Sequence, residues 1–180
     1  RYCRTGLPLV KKCVTVDGSA VKNPMNVLVP IGTRMKDVFE ATGGFKEEPK
    51  MVLYGGPMMG IAVPDLEQPI LKNTNAILAF GEAEATPPEP TACIKCGKCI
   101  AHCPLSLMPC EMETAYKKGN MERLMHLKVN LCMECGCCSF ICPAHRPLVQ
   151  TNKLAKAQVM AYKNALKAKA EAEKQKEAAK

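Results

Sequence analysis

The chain has 180 residues, enough for one medium domain or two small ones at roughly 100–200 residues per domain, and too few for a large enzyme core. Trp is absent and Phe and Tyr number four each, so the core has to be built from Val, Leu, Ile, Met and Ala. The formal charge of +8 sits mostly in residues 151–180, where eight Lys face Glu171, Glu173 and Glu177, and the twelve Cys are clustered rather than spread.

In chain order, the first readable segment is residues 9–80, in which short β-branched runs alternate with turn signals. Cys13–Val16 precedes Asp17-Gly18, Val27–Val29 precedes Pro30-Ile31-Gly32, Met51–Tyr54 precedes Gly55-Gly56-Pro57, and Ala76–Phe80 precedes Gly81. These four predict strands. Between the second and third, Met35, Val38 and Phe39 fall at helical spacing, with Thr33 as the expected N-cap and Gly43-Gly44 as the left-handed stop. The resulting β-β-α-β-β order over residues 1–81 fits a small α+β domain of β-grasp type, one helix across a mixed sheet.

Residues 82–91 are acidic and Pro-rich and read as an extended spacer. Two cysteine clusters follow within residues 92–150. Between them Glu111–Lys118 and Met121–Lys128 read as helices broken at Gly119-Asn120, with Asn120 capping the second. From Leu148 the chain has no Gly or Pro, and Ala155, Val159, Tyr162 and Leu166 keep helical spacing, so residues 151–180 read as a Lys/Ala-rich helix that leaves the domain. The second domain is therefore expected to be mostly helical.

The clusters carry the chemistry. The first reads Cys93-Ile-Lys-Cys96-Gly-Lys-Cys99-Ile-Ala-His-Cys103-Pro104 and the second Cys132-Met-Glu-Cys135-Gly-Cys-Cys138-Ser-Phe-Ile-Cys142-Pro143, both C-x2-C-x2-C-x3-C-P. Three thiolates at this spacing let a tight loop wrap three corners of an iron–sulfur cube, while the fourth, followed by Pro, serves the neighbouring cube. Cys93, Cys96, Cys99 and Cys142 are thus expected to hold one [4Fe-4S] cluster, and Cys132, Cys135, Cys138 and Cys103 the other. Gly97 and Gly136 supply the backbone freedom such loops require. Zinc is the competing reading, but it takes pairs of ligands separated by a longer loop. A disulfide framework conflicts with a chain that shows no export signal.

The other residues of interest read more plainly. Cys137 would break the spacing as a ligand and is expected to be a small buried packer, as are Cys110, Cys3 and Cys13. His102, His126 and His145 have no metal-ligand company. Gly55-Gly56-Pro57-Met58-Met59-Gly60 matches no nucleotide-binding motif and is expected to be a turn between strands, the alternative being a loop facing a cofactor or partner. The Lys-rich tail lacks aromatics at stacking intervals, which argues against nucleic acid and for a solvated helix. No run approaches the 18 or so apolar residues of a membrane span, so the chain reads as soluble and cytoplasmic. Its opening at Arg1-Tyr2-Cys3-Arg4, without an initiator Met, reads as the later part of a longer polypeptide.

The order of Gly6-Leu7-Pro8-Leu9-Val10, Gly55–Gly60, Thr74-Asn75-Ala-Ile-Leu, the two cysteine motifs and Pro147-Leu148-Val149-Gln150 resembles the RnfC family of the Rnf-type ion-translocating ferredoxin:NAD+ oxidoreductase complexes, over about residues 5–155. The resemblance implies that the β-grasp domain is of the SLBB (soluble-ligand-binding β-grasp) class and that the eight motif cysteines are the family's cluster ligands. It also implies an FMN- and NADH-binding domain ahead of this segment. The expected role is an electron wire of two [4Fe-4S] clusters linking that flavin site to the ferredoxin-like and membrane flavin subunits. The chain would sit peripherally on the cytoplasmic face of the membrane, held there by its partners, and would have no catalytic residue of its own. Two other readings use the same parts: a cobalamin reductase of the propanediol-utilisation type, and an interaction module whose metal only supports the fold.

Overall fold

In a computed structural model describing residues 2–178, with side chains through Glu171, the chain divides into two compact units between Pro87 and Pro88.

The first unit is a mixed five-stranded sheet with one helix on it. Its elements are β1 (Lys11–Asp17), β2 (Met25–Pro30), α1 (Met35–Ala41), β3 (Met51–Tyr54), β4 (Ile61–Ala62) and β5 (Ala76–Phe80), in the spatial order β2-β1-β5-β3-β4. β1 runs antiparallel to β2, with Cys13 opposite Leu28, and parallel to β5, with Val16 opposite Ile77. β3 pairs antiparallel with both β5 and β4. The four strands read from the sequence are present. β4 was not among them, because two exposed residues carry no periodicity.

Alternation along β1 turns Val14 and Val16 inward, where they meet Met35, Val38 and Phe39 of α1 together with Val52, Ile70, Ile77 and Ala79. The core is aliphatic apart from Phe39, whose ring packs on that of Phe45 with centroids 4.8 Å apart. The same alternation puts Cys13 on the solvent face, and Cys3 is exposed in the one-turn helix Tyr2–Thr5, so neither is the buried packer expected from its type.

The stop of α1 is as read. Gly43 and Gly44 have φ of +99° and +75°, and the Gly44 amide donates to the Phe39 carbonyl at 2.9 Å. The start differs. Thr33 does not cap the helix; its Oγ1 donates to the Pro30 carbonyl, and the N-cap position falls on Arg34, whose side chain makes no cap bond. The first-turn amides of Met35 and Lys36 instead donate to the carbonyls of Gln68 and Leu66, each at 3.0 Å. A neighbouring stretch of backbone does the work of a capping side chain.

The spacer also differs from expectation. Glu82–Ala85 forms one helical turn, with the Ala85 amide on the Gly81 carbonyl, and the extended backbone begins only beyond it. Two Glu in a first turn suit the helix dipole, and Pro87-Pro88 stops propagation.

The second unit is helical, with α2 (Pro109–Lys117), α3 (Met121–His126) and α4 (Leu148–Ala178). Asn120 caps α3 as read, its Oδ1 accepting from the Arg123 amide at 2.8 Å. Leu107, Met112, Ala115, Leu124, Leu127 and Val129 pack with Ala155 and Val159 of α4. Burial along α4 ends at Val159, and Leu166 is exposed, so the helix leaves the unit after about three turns. Residues 179 and 180 of the expected C-terminal helix lie outside the described residues. No helix among those described is long and apolar enough to cross a membrane.

Candidate metal centre

The second unit repeats itself at an interval of 39 residues. Cys93, Cys96, Cys99 and Cys103 are matched by Cys132, Cys135, Cys138 and Cys142, and the backbone follows the same register. Lys95 and Glu134 have φ of +55° and +60°, Gly97 and Gly136 of +74° and +80°, and Ser106 and His145 of +50° and +49°. Each left-handed glycine opens a one-turn helix, Lys98–Ala101 and Cys137–Phe140, that carries the third cysteine inward. The glycine role read from the sequence is therefore present. The left-handed Lys95 and Glu134 give no signal of their own, since neither type favours that region.

Two cavities result, and each takes its fourth cysteine from the other repeat. Cys93, Cys96, Cys99 and Cys142 line one of about 310 Å³, together with Cys110, Arg146 and Leu148. Cys103, Cys132, Cys135 and Cys138 line a much tighter one of about 20 Å³, with Leu107, Val149 and Asn152. The structure thus brings together the two sets of four formed by crossing over the fourth cysteine. Among the described residues no three Cys, His, Asp or Glu side chains converge as closely as a single metal ion requires. A cube differs in that each thiolate binds its own iron, so the donors surround a body instead of a point. Four thiols ringing a cavity, on loops wound in the left-handed region, fit such a group. The tighter ring has to open to admit one.

Burial shapes the thiols. Cys99 and Cys138 are 8% and 7% exposed and pack against Leu148 and Val149. Burial pushes the Cys99 thiol up to about 11, with Cys110 and Cys142 adding to the effect, and the Cys138 thiol up to about 12, with Cys132 and Cys135 adding. Bare thiolates are costly there, and a metal bound by these sulfurs would displace the protons and offset that cost. One backbone donor is already in place, since the Leu107 amide points at Cys103 Sγ at 3.3 Å.

Three features were missed by sequence reasoning. Glu113, 1% exposed on α2, accepts from Arg146 Nε at 2.7 Å, and its Oε1 lies 2.9 Å from Lys117 Nζ. Burial alone would raise its carboxyl, but the hydrogen bonds from Arg146 and Lys117 hold it below the usual range. Asn152, 39 residues later, is equally buried, and its Oδ1 has no hydrogen-bond partner among the described residues. Lys156 Nζ ties the second loop by donating to the Cys132 carbonyl and to Glu134, both at 2.9 Å. The signal was available in the repeat register, which sets Glu113 against Asn152 and Lys117 against Lys156.

The remaining cysteines separate. Cys110 lines the first cavity together with Cys99, whose thiol it helps to raise, and is not merely a distant packer. Cys137 is half-buried and lines neither cavity, and its hydrogen bond with Cys135 raises its thiol. His102 Nδ1 lies 3.0 Å from the Lys98 carbonyl, a local helical contact. Gly55–Gly60 is the connection of the β3–β4 hairpin, as the turn reading expects.

Residues 13–62, from β1 through β4, match the SLBB domain family. The chain is 43% identical over 159 residues to the RnfC subunit of the ion-translocating oxidoreductase complex of Methanosarcina acetivorans, covering 88% of this chain and 35% of that one. It is 38% identical over 156 residues to the corresponding protein of Rhodobacter capsulatus, covering 87% and 30%. The RnfC subunit of the proton-translocating ferredoxin:NAD(+) oxidoreductase complex of Clostridium ljungdahlii is 43% identical over 104 residues, 58% of this chain and 23% of that one. The chain spans about a third of the length of the first two.

Proposed function

From its SLBB domain and its relationship to the RnfC subunits of ion-translocating oxidoreductase complexes, we propose that this chain is an electron-transfer segment carrying two [4Fe-4S] clusters. Cys93, Cys96, Cys99 and Cys142 hold the first, and Cys132, Cys135, Cys138 and Cys103 the second. The observation that carries this reading is the exchange of the fourth cysteine between two otherwise separate rings of thiols. When bound, each such cluster supplies a one-electron redox centre.

The protein's part is to hold and tune these centres. Left-handed loops at Lys95–Gly97 and Glu134–Gly136 wrap three thiolates around each site, and the crossed cysteines tie the two sites into one body. Backbone amides such as that of Leu107 donate toward sulfur, and burial of Cys99 and Cys138 keeps water from the inner edge of each ring. A pair of adjacent one-electron centres suits a relay between a two-electron NADH and flavin site and the other subunits of a membrane-bound Rnf-type complex. The chain acts as a wire on the cytoplasmic face of that complex. It contributes no acid, base or nucleophile of its own.

The test is the iron, zinc and acid-labile sulfide content of anaerobically prepared protein, with EPR after dithionite reduction. About eight iron and eight sulfide per chain and an interacting low-potential signal are expected. Stoichiometric zinc without sulfide would make the metal a structural support and overturn the redox reading.

A further inference from the structure

We propose that the Arg146–Glu113 pair makes the two centres unequal, holding the cluster of Cys93, Cys96, Cys99 and Cys142 at the higher reduction potential. The inference rests on the two-cluster reading above. It starts from a break in the 39-residue repeat: where the second cavity has Leu107 on its wall, the first has Arg146, and where α4 buries Asn152, α2 buries Glu113. Two neutral residues in one site are replaced by a cation and an anion in the other.

The placement of the two charges matters more than their sum. Arg146 lines the cavity, and its charge reaches Cys93 and Cys142. Lys95 and Glu111 also line it, but they are opposite in sign and face solvent, with Glu111 3.7 Å from Arg123, so the 16%-exposed Arg146 is the less screened charge. Glu113 is absent from the cavity lining and stands behind the guanidinium. Arg146 is also immobilised. Its Nε and Nη2 both reach Glu113 Oε2 at 2.7 Å, and its Nη1 donates to the Thr91 carbonyl at 3.1 Å. A fixed dipole therefore presents its positive end to the thiol ring. Reduction adds one negative charge to a cluster, and the nearer positive end stabilises that added charge more than the farther carboxylate opposes it. The wall of the second site carries the Asn152 carboxamide and apolar side chains, and its nearby cation, Lys156, lies outside that wall, spent on the Cys132 carbonyl and on Glu134. An electron shared between the two therefore resides on the first.

The roles are those of positioning residues, and the readout is a potential. The full chain is titrated anaerobically with EPR detection, and the paramagnetically shifted Cβ protons of the eight cysteines identify which cluster each step belongs to. Arg146→Leu is expected to lower the first cluster's reduced-to-oxidised ratio at fixed poise about tenfold, about 59 mV for one electron, leaving the second unchanged. Because Arg146→Leu strands a buried carboxylate, the double variant Glu113→Asn/Arg146→Leu, which copies the second repeat into the first, provides the folded control. It is expected to shift the same cluster in the same direction by less. An unmoved first cluster in both variants, or both clusters moving together, overturns the inference while leaving the wire intact. A wild type without iron and sulfide overturns the wire itself.

Discussion

Cys103 and Cys142 hold equivalent places 39 residues apart and trade sites, Cys142 closing the ring of Cys93, Cys96 and Cys99 while Cys103 closes that of Cys132, Cys135 and Cys138. Neither loop can then be emptied without disturbing a ligand of the other. Cys138→Ala is expected to remove the second cluster and to weaken the first, because a loose Cys103 loop also frees the start of α2, which packs on the first cavity through Cys110. Iron and sulfide should fall by half or more. Two intact cubes in that variant would refute the ligand assignment.

Neighbouring thiols give the complementary test. Cys137 lines neither cavity, and Cys110, which does line one, is matched in the repeat by Val149. Cys137→Ala and Cys110→Val are both expected to keep the full iron and sulfide content, with at most a small change in potential from the lost S–H near Cys135 or Cys99. Loss of a cube in either variant would identify that residue as a ligand in place of its neighbour.

What could be read beforehand followed from local rules. The strands of the first unit, the Gly43-Gly44 stop, the Asn120 cap and the left-handed Gly97 and Gly136 all depend on residues within a turn or two of one another. What escaped depends on distant partners. Thr33 has the composition of a cap, yet the carbonyls of Leu66 and Gln68 had already satisfied those amides, and nothing near Thr33 in sequence could announce it. Cys13 was misjudged because residue type was weighed above the strand's period of two. Glu113 and Arg146 are 33 residues apart, and each alone reads as an ordinary surface charge.

The first unit can be probed at one glycine. Gly18 follows β1 with φ of +118°, and a Cβ there would lie 2.1 Å from the Ala79 carbonyl oxygen of β5. Gly32 has a similar φ of +98° but open space around it. Gly18→Ala combines a left-handed penalty with a backbone clash and is expected to cost about 3 kcal/mol or more, against about 1–2 kcal/mol for Gly32→Ala. Urea unfolding followed by circular dichroism compares them. Equal midpoints for the two variants would mean that β5 yields to the added methyl group.

Glu113 sets the pH dependence of the second unit. Its carboxyl is held below its ordinary value of 4.5, so its contribution to stability is fully present above that value and is lost as pH falls through the lower, folded one. Glu113→Gln removes the charge while keeping the shape, leaving Arg146 without its anion, and is expected to cost about 2 kcal/mol at pH 7. The gap between wild type and variant should stay constant from pH 8 to about 5 and narrow only below the ordinary carboxylate range. The ¹³C shift of the Glu113 carboxyl should have its titration midpoint below 4.5. A carboxyl that titrates at or above 4.5 would show that burial outweighs the Arg146 and Lys117 contacts, and the anion behind the first thiol ring would then be absent at mildly acid pH.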